Sequence, residues 1–287
     1  MKPTVESFFD DVTYTITHVI SDEVTKSCAV VDAVLDYDAK SGRTSTKMAD
    51  KVIEYILSND LRLDWILETH AHADHVTAAP YLQKKLGGKI GIGENILKVQ
   101  TVFNVVFNYD KLEASDGTAF DHLFADGENF NIGNLRVQAI NVPGHTPADM
   151  AYIVEDQMVF VGDTIFMPDV GTARCDFPGG DAHILFKSIK RIFSMAPETA
   201  LYMCHDYPPS GREPQYKTTV AEQRKSNIHV KDSISEDEFV QMRTARDKTL
   251  AFPTLILPSI QLNIRAGKMP GAEENGVSYL KIPINGI

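Results

Sequence analysis

Residues 69–75 read Thr69-His70-Ala71-His72-Ala73-Asp74-His75, three imidazoles and a carboxylate within six positions. An apolar run over residues 63–69 reads as a short strand leading into the cluster. Residues 76–86 after it carry helical spacing and stop at Gly87-Gly88. Imidazole is the commonest protein ligand for borderline transition metals. Alternate residues of an extended segment project to one side, so His70 and His72 can face one ion together. One loop does not complete such a site. The fold must bring further ligands to it.

Three later positions have the right chemistry and the right setting. His145 lies in the turn Val142-Pro143-Gly144-His145-Thr146-Pro147, after a strand-like run. Asp163 ends the apolar stretch Val159-Phe160-Val161-Gly162-Asp163. His205 follows another apolar run, residues 201–204. Ligand types recurring at strand ends fit a metal site at the rim of a sheet.

The rest of the chain supplies elements to hold that rim. Strands are predicted at residues 14–18, 27–34 and 89–92, within 118–142 around a Gly133-Asn134 turn, and as a hairpin over 150–161. Helices are predicted at 44–59, 94–107 and 184–193, a last strand at 201–204, and two tail helices at 218–227 and 235–250. The expected layout is two β-rich halves covered by helices, an α/β class.

Composition excludes several functions. Lys and Arg number 28 against 39 Asp and Glu, a net charge of −11, and no basic block reaches five residues. A nucleic-acid or anionic-membrane surface needs a basic patch to displace counterions, so neither partner is expected. Three cysteines cannot form a disulfide scaffold and point to a reducing compartment. No apolar run approaches the ~20 residues of a membrane span. Residues 1–6 lack a signal-peptide core. The expected setting is cytoplasmic.

The motif order, an early strand Asp32, then H-x-H-x-D-H at 70–75, His145, Asp163 and His205, resembles the metallo-β-lactamase superfamily over residues 12–210. That resemblance implies an αββα sandwich with the metal at one edge between the sheets. Residues 1–207 would form this domain, and residues 208–287 an extension packed on it and lining the substrate mouth. Within the superfamily the chain is similar to two glutathione-handling groups. Residues 171–177 (GTARCDF), 205–209 (HDYPP) and the tail from TVAEQR (219–224) to YLKIP (279–283) look like the persulfide dioxygenases.

The resemblance implies one Fe(II) per chain, held by His70, His145 and Asp163, the 2-His-1-carboxylate set of Fe(II) oxygenases. His72, Asp74, His75 and His205 would surround that metal or hold a second one. The expected substrates are glutathione persulfide and dioxygen. Arg174, Tyr207, Arg212 and Arg224 are the candidates to bind glutathione, because guanidinium groups match carboxylates with paired hydrogen bonds. The rival reading is a dinuclear hydroxyacylglutathione hydrolase of the glyoxalase II type, since no dinuclear ligand is missing. A non-catalytic persulfide or metal sensor is a third. A homo-oligomer is left open.

Overall fold

The computed structural model describes residues 3–109, 116–209 and 211–286, so Met1 and Lys2 of the N-terminal stretch read above lie outside the described residues. Its first sheet runs β1 (Thr4–Phe9), β2 (Ile16–Ser21), β3 (Ser27–Val31), β6 (Arg62–Leu67), β8 (Lys89–Gly93) and β9 (His122–Phe124). The second runs β10 (Asn129–Ile132), β11 (Leu135–Asn141), β12 (Met150–Val154), β13 (Met158–Phe160), β14 (Ala200–Tyr202) and β15 (Lys217–Thr219). A small third sheet joins β4 (Val34–Asp38), β5 (Arg43–Ser45) and β7 (Val76–Thr77).

Parallel neighbours need crossovers, and helices supply them. β3, β6, β8 and β9 are parallel, connected through α1 (Lys47–Ser58), α2 (Ala79–Leu86) and α3 (Ile96–Phe107). α4 (Ala182–Phe193) lies between β13 and its parallel neighbour β14. α5 (Val220–Ser226), α6 (Glu236–Asp247) and α7 (Ile256–Asn263) follow. No helix among the described residues is long and apolar enough to cross a membrane.

Side chains of a strand alternate between faces, and here both faces are apolar. Cys28 and Val30 of β3 pack with Val52 and Ile56 of α1 and Leu82 of α2, while Ala29 and Val31 pack with Val137 and Tyr152 of the other sheet. Ala151 and Ile153 of β12 meet Leu185 and Ile189 of α4. The result is three apolar layers between four structural ones, the αββα sandwich. Each fully buried Leu or Ile contributes roughly 1.5–3 kcal/mol.

Strand direction gathers the ligands. β3 and β6 run together, and β11, β13 and β14 share one direction because β11–β12 and β12–β13 are antiparallel and β13–β14 parallel. The chain therefore leaves these strands in its ligand-bearing loops, as open α/β sheets place ligands beyond strand carboxyl ends.

Four local expectations are corrected. The strand predicted over 27–34 breaks at Asp32, which adopts φ +53°. Val76 and Thr77 form β7 rather than a helix start, so the histidine cluster precedes a strand, and α2 opens at Ala79 with Pro80 in its first turn. The sequence also reads as a polar turn over 36–42, where the structure has a hairpin, β4 turning into β5. The second sheet takes its edge strand β15 from beyond residue 207, so β14 is not the last strand.

Candidate metal centre

The loop after β6 is organised from below by Asp32. Its left-handed backbone turns a buried carboxylate under the loop, where it accepts from Thr69 N (2.8 Å), Thr69 Oγ1 (3.0 Å) and His72 Nε2 (2.9 Å). Thr69 has one hydroxyl proton and gives it to Asp32, so at 3.0 Å it accepts from His70 Nδ1. That assignment leaves a lone pair on His70 Nε2, a buried atom with no hydrogen-bond partner. Hydrogen bonding at one imidazole nitrogen fixes which nitrogen is left to bind metal.

His145 is prepared the same way from a different element. Its Nδ1 donates to the Arg174 carbonyl at 2.7 Å, which leaves Nε2 3.7 Å from Asp163 Oδ2. The turn carrying His145 is pressed against α4, where Ser188 Oγ donates to Pro143 O and a Cβ on Gly144 would come within 2.3 Å of Leu185 Cα. Asp163 follows Gly162, whose φ of +55° and 2.8 Å clearance to Thr69 Cβ exclude a side chain. His70 Nε2 lies 3.9 Å from Asp163 Oδ2. His70, His145 and Asp163 thus converge, all buried.

A second group, His72, Asp74, His75 and His205, lies beside the first. His75 Nδ1 faces Asp74 Oδ2 (3.1 Å) and Thr15 Oγ1 (3.2 Å). His205 Nε2 lies 3.4 Å from both Asp74 Oδ2 and Asp163 Oδ1. Asp163 therefore turns one oxygen to each group.

These residues fit a metal ion. His70 Nε2, His72 Nδ1, His75 Nε2, His205 Nε2 and Asp163 Oδ1 are buried without hydrogen-bond partners, an arrangement that is costly unless a cation satisfies it. Burial, helped by the neighbouring imidazoles His72 and His145, holds His70 well below the ordinary histidine range, the neutral state a ligand needs. Burial works against the charge on Asp32, yet the His72 imidazole, the Thr69 N–H and His75 together keep this carboxyl below its usual value.

A cavity of about 1320 Å³ opens over Asp74, His145 and Asp163. Two of the candidate glutathione-binding residues line it. Tyr207 stacks on His205 (centroids 5.7 Å apart, 13° between planes) and is 41% exposed. Arg174 lines the wall too, but its fork is closed on Asp176 (2.5 and 2.6 Å) and its Nη1 donates to Ala251 O. Arg212 holds Asp206 and Asp169 in paired hydrogen bonds and is not part of the cavity wall. Arg224 pairs with Asp232 in a separate depression beside Pro197. Neither Arg212 nor Arg224 is brought to the metal cavity, because nearby carboxylates claim both forks. Lys40, Arg43, Lys47 and Arg246 line it instead.

Several contributors gave no signal in the sequence. Asn263, buried at the end of α7, donates to the carbonyls of His72 and His75 and accepts from Thr77 N, tying the tail to the ligand loop. Arg243 of α6 is 1% exposed, pairs with Asp247 and donates to Thr172 O, while Asp247 accepts from Cys175 N. All three cysteines are buried and free, and burial pushes the Cys28 thiol up to about 12 and raises Cys175 and Cys204 as well.

Compared with known proteins, residues 18–205 match the metallo-beta-lactamase superfamily. The chain is 52% identical over 99% of its length to a probable metallo-hydrolase of Burkholderia pseudomallei, all of which it covers. It is 54% identical to glyoxylase B2 of Dictyostelium discoideum, over 93% of this chain and 92% of that one. Human mitochondrial persulfide dioxygenase ETHE1 is 26% identical over 92% of this chain and 88% of its own. The crystal structure of ETHE1 from Myxococcus xanthus superposes with a TM-score of 0.73 at 27% identity, over 92% of this chain and all of that one.

Proposed function

The chain belongs to the metallo-beta-lactamase superfamily, and from that premise we propose that it is an Fe(II) persulfide dioxygenase. It converts glutathione persulfide, dioxygen and water to glutathione, sulfite and two protons. The observation that carries this reading is the convergence of His70, His145 and Asp163 as one buried group, two of whose members, His145 and Asp163, line the cavity. Two imidazoles and a carboxylate are the ligand set of Fe(II) oxygenases with open positions. The whole-length likeness to ETHE1 adds support.

The protein's own part is positioning. Thr69 and the Arg174 carbonyl hold the two Nδ1 protons, so both Nε2 lone pairs face inward. Iron(II) held by His70, His145 and Asp163 would supply the redox chemistry dioxygen requires. Phe166 and Phe177 give the cavity apolar walls near the reacting sulfur. Tyr207 offers a phenol hydroxyl, and Lys40, Arg43, Lys47 and Arg246 offer charge to the glutathione carboxylates. Residues 208–287 serve as the extension that completes the mouth. The buried free cysteines support a reducing, cytoplasmic setting.

One observation favours a second reading. Asp163 addresses both groups, and His72, His75 and His205 keep unpartnered nitrogens, as a dinuclear hydroxyacylglutathione hydrolase requires. The name of the Dictyostelium relative points the same way. Reconstitution of metal-free protein separates the two. The dioxygenase binds about one iron per chain and turns over glutathione persulfide only with iron. Two tightly held zinc ions with thioester hydrolysis would replace it with the hydrolase.

A further inference from the structure

Behind the ligand loop lies a second, much smaller chamber of about 20 Å³. Its walls come from five parts of the chain: Ala71 and Ala73 of the ligand loop, Val99 and Phe103 of α3, the turn at 145–147, Phe177, and Ile256 and Ile260 of the tail helix α7. A volume of this size holds one molecule about as large as water. Water, however, needs two to four polar partners. The polar side-chain atoms of the wall are directed elsewhere: Thr146 Oγ1 donates to Asp149, His145 Nδ1 donates to Arg174 O, and His145 Nε2 is turned to Asp163 at 3.7 Å. An apolar cavity without free polar groups stays dry and accepts apolar gases.

The chamber shares Ala73, His145 and Phe177 with the large cavity, so one metal ligand edges both. We propose that it is a dioxygen-holding site that feeds the metal from the side opposite the persulfide. This rests on the dioxygenase reading and adds to it a division of traffic. The anionic thiol substrate enters by the cavity whose rim carries cations, and the apolar diatomic waits behind His145, where no charged group competes for it. The division also gives α7 a role, since without Ile256 and Ile260 the chamber has no outer wall.

Two variants change the chamber without touching a ligand or the cavity wall: Ile260→Phe fills it and Ile256→Ala enlarges it. Crystals of the wild type under xenon pressure are expected to show a xenon atom in the chamber, retained in Ile256→Ala and lost in Ile260→Phe. Steady-state oxygen dependence should follow, with KM for O2 raised about three- to tenfold in Ile260→Phe while iron content and the KM for persulfide stay unchanged. A wild-type chamber empty of xenon overturns the proposal. So does an unchanged KM for O2 in Ile260→Phe crystals that have lost xenon. Should Ile260→Phe not fold, the wild-type and Ile256→Ala xenon results still decide. Wild-type iron protein that takes up no oxygen with persulfide overturns the dioxygenase reading itself, a result distinct from either of these.

Discussion

His70 is ready to bind metal only because Thr69 has a single proton to give. The relay His70 Nδ1–Thr69 Oγ1–Asp32 crosses three residues with roles set by hydrogen-bond valence rather than by proximity. Thr69→Val keeps the shape and removes the relay, so metal affinity is expected to fall about 10- to 100-fold in a competitive chelator titration. Unchanged affinity would show that the imidazole is oriented by packing alone. Alanine at His70, His145 or Asp163 should remove iron and turnover together, whereas His72→Ala should keep most of its iron while losing activity. If His72→Ala empties the site as fully as His70→Ala, metal analysis will have shown that the triad is not a unit by itself. The seven His and Asp residues that the fold gathers into two adjacent groups stand out in the chain, because few side chains can bind metal and they follow apolar runs. The roles of the arginines do not. Whether a guanidinium is free depends on which carboxylate the fold places beside it, and Asp206, Asp169 and Asp232 claim Arg212 and Arg224.

At the scale of elements, the tail braces the site through two buried contacts. α7 ends in Asn263, whose amide satisfies two carbonyls of the ligand loop. Asn263→Ala leaves those carbonyls and Thr77 N unpaired in the interior, each costing about 1–3 kcal/mol. A lower denaturation midpoint with weaker metal binding is expected, and loss of stability without loss of affinity would separate the tail from the site. α6 contributes the Arg243–Asp247 pair, buried at 1% and 5% side-chain exposure. Removing one partner of a buried pair costs about 3–5 kcal/mol because the other charge stays behind. Asp247→Ala should show that loss in chemical denaturation, and a change under about 1 kcal/mol would mean that water replaces the carboxylate. The sequence reading missed α7 because Pro258 falls inside its pattern; Pro is tolerated in the first turn, which is where it sits. It missed β15 because three residues, Lys217–Thr219, carry too little periodicity to count.

Across the whole molecule, His18 of β2, the strand next to one sheet's edge, reaches across to Met203, just past β14 of the other sheet. Its Nε2 faces Met203 O at 2.9 Å and its Nδ1 faces Ser7 Oγ at 2.9 Å, with Phe160 and Tyr202 against the ring. Burial lowers it from 6.5 to about 4 despite the Met203 carbonyl. Below pH 6.5 the unfolded chain takes up a proton that the native protein refuses until about pH 4. Stability therefore falls as pH drops through that window, by up to about 3 kcal/mol. His18→Gln cannot titrate and should show a correspondingly shallower loss between pH 7 and 4.5 in urea denaturation; equal slopes would remove His18 from the acid sensitivity. The sandwich itself was only half visible beforehand. Strands and helices could be placed from their periods, but strands buried on both faces carry no inside-outside pattern, so the layering came from the motif order and its resemblance.

The account turns on whether oxygen is a substrate. Iron-loaded protein given glutathione persulfide in an oxygen electrode is predicted to take up one O2 per persulfide consumed, with one sulfite formed. Persulfide or thioester turnover by the same protein with no oxygen uptake would contradict it.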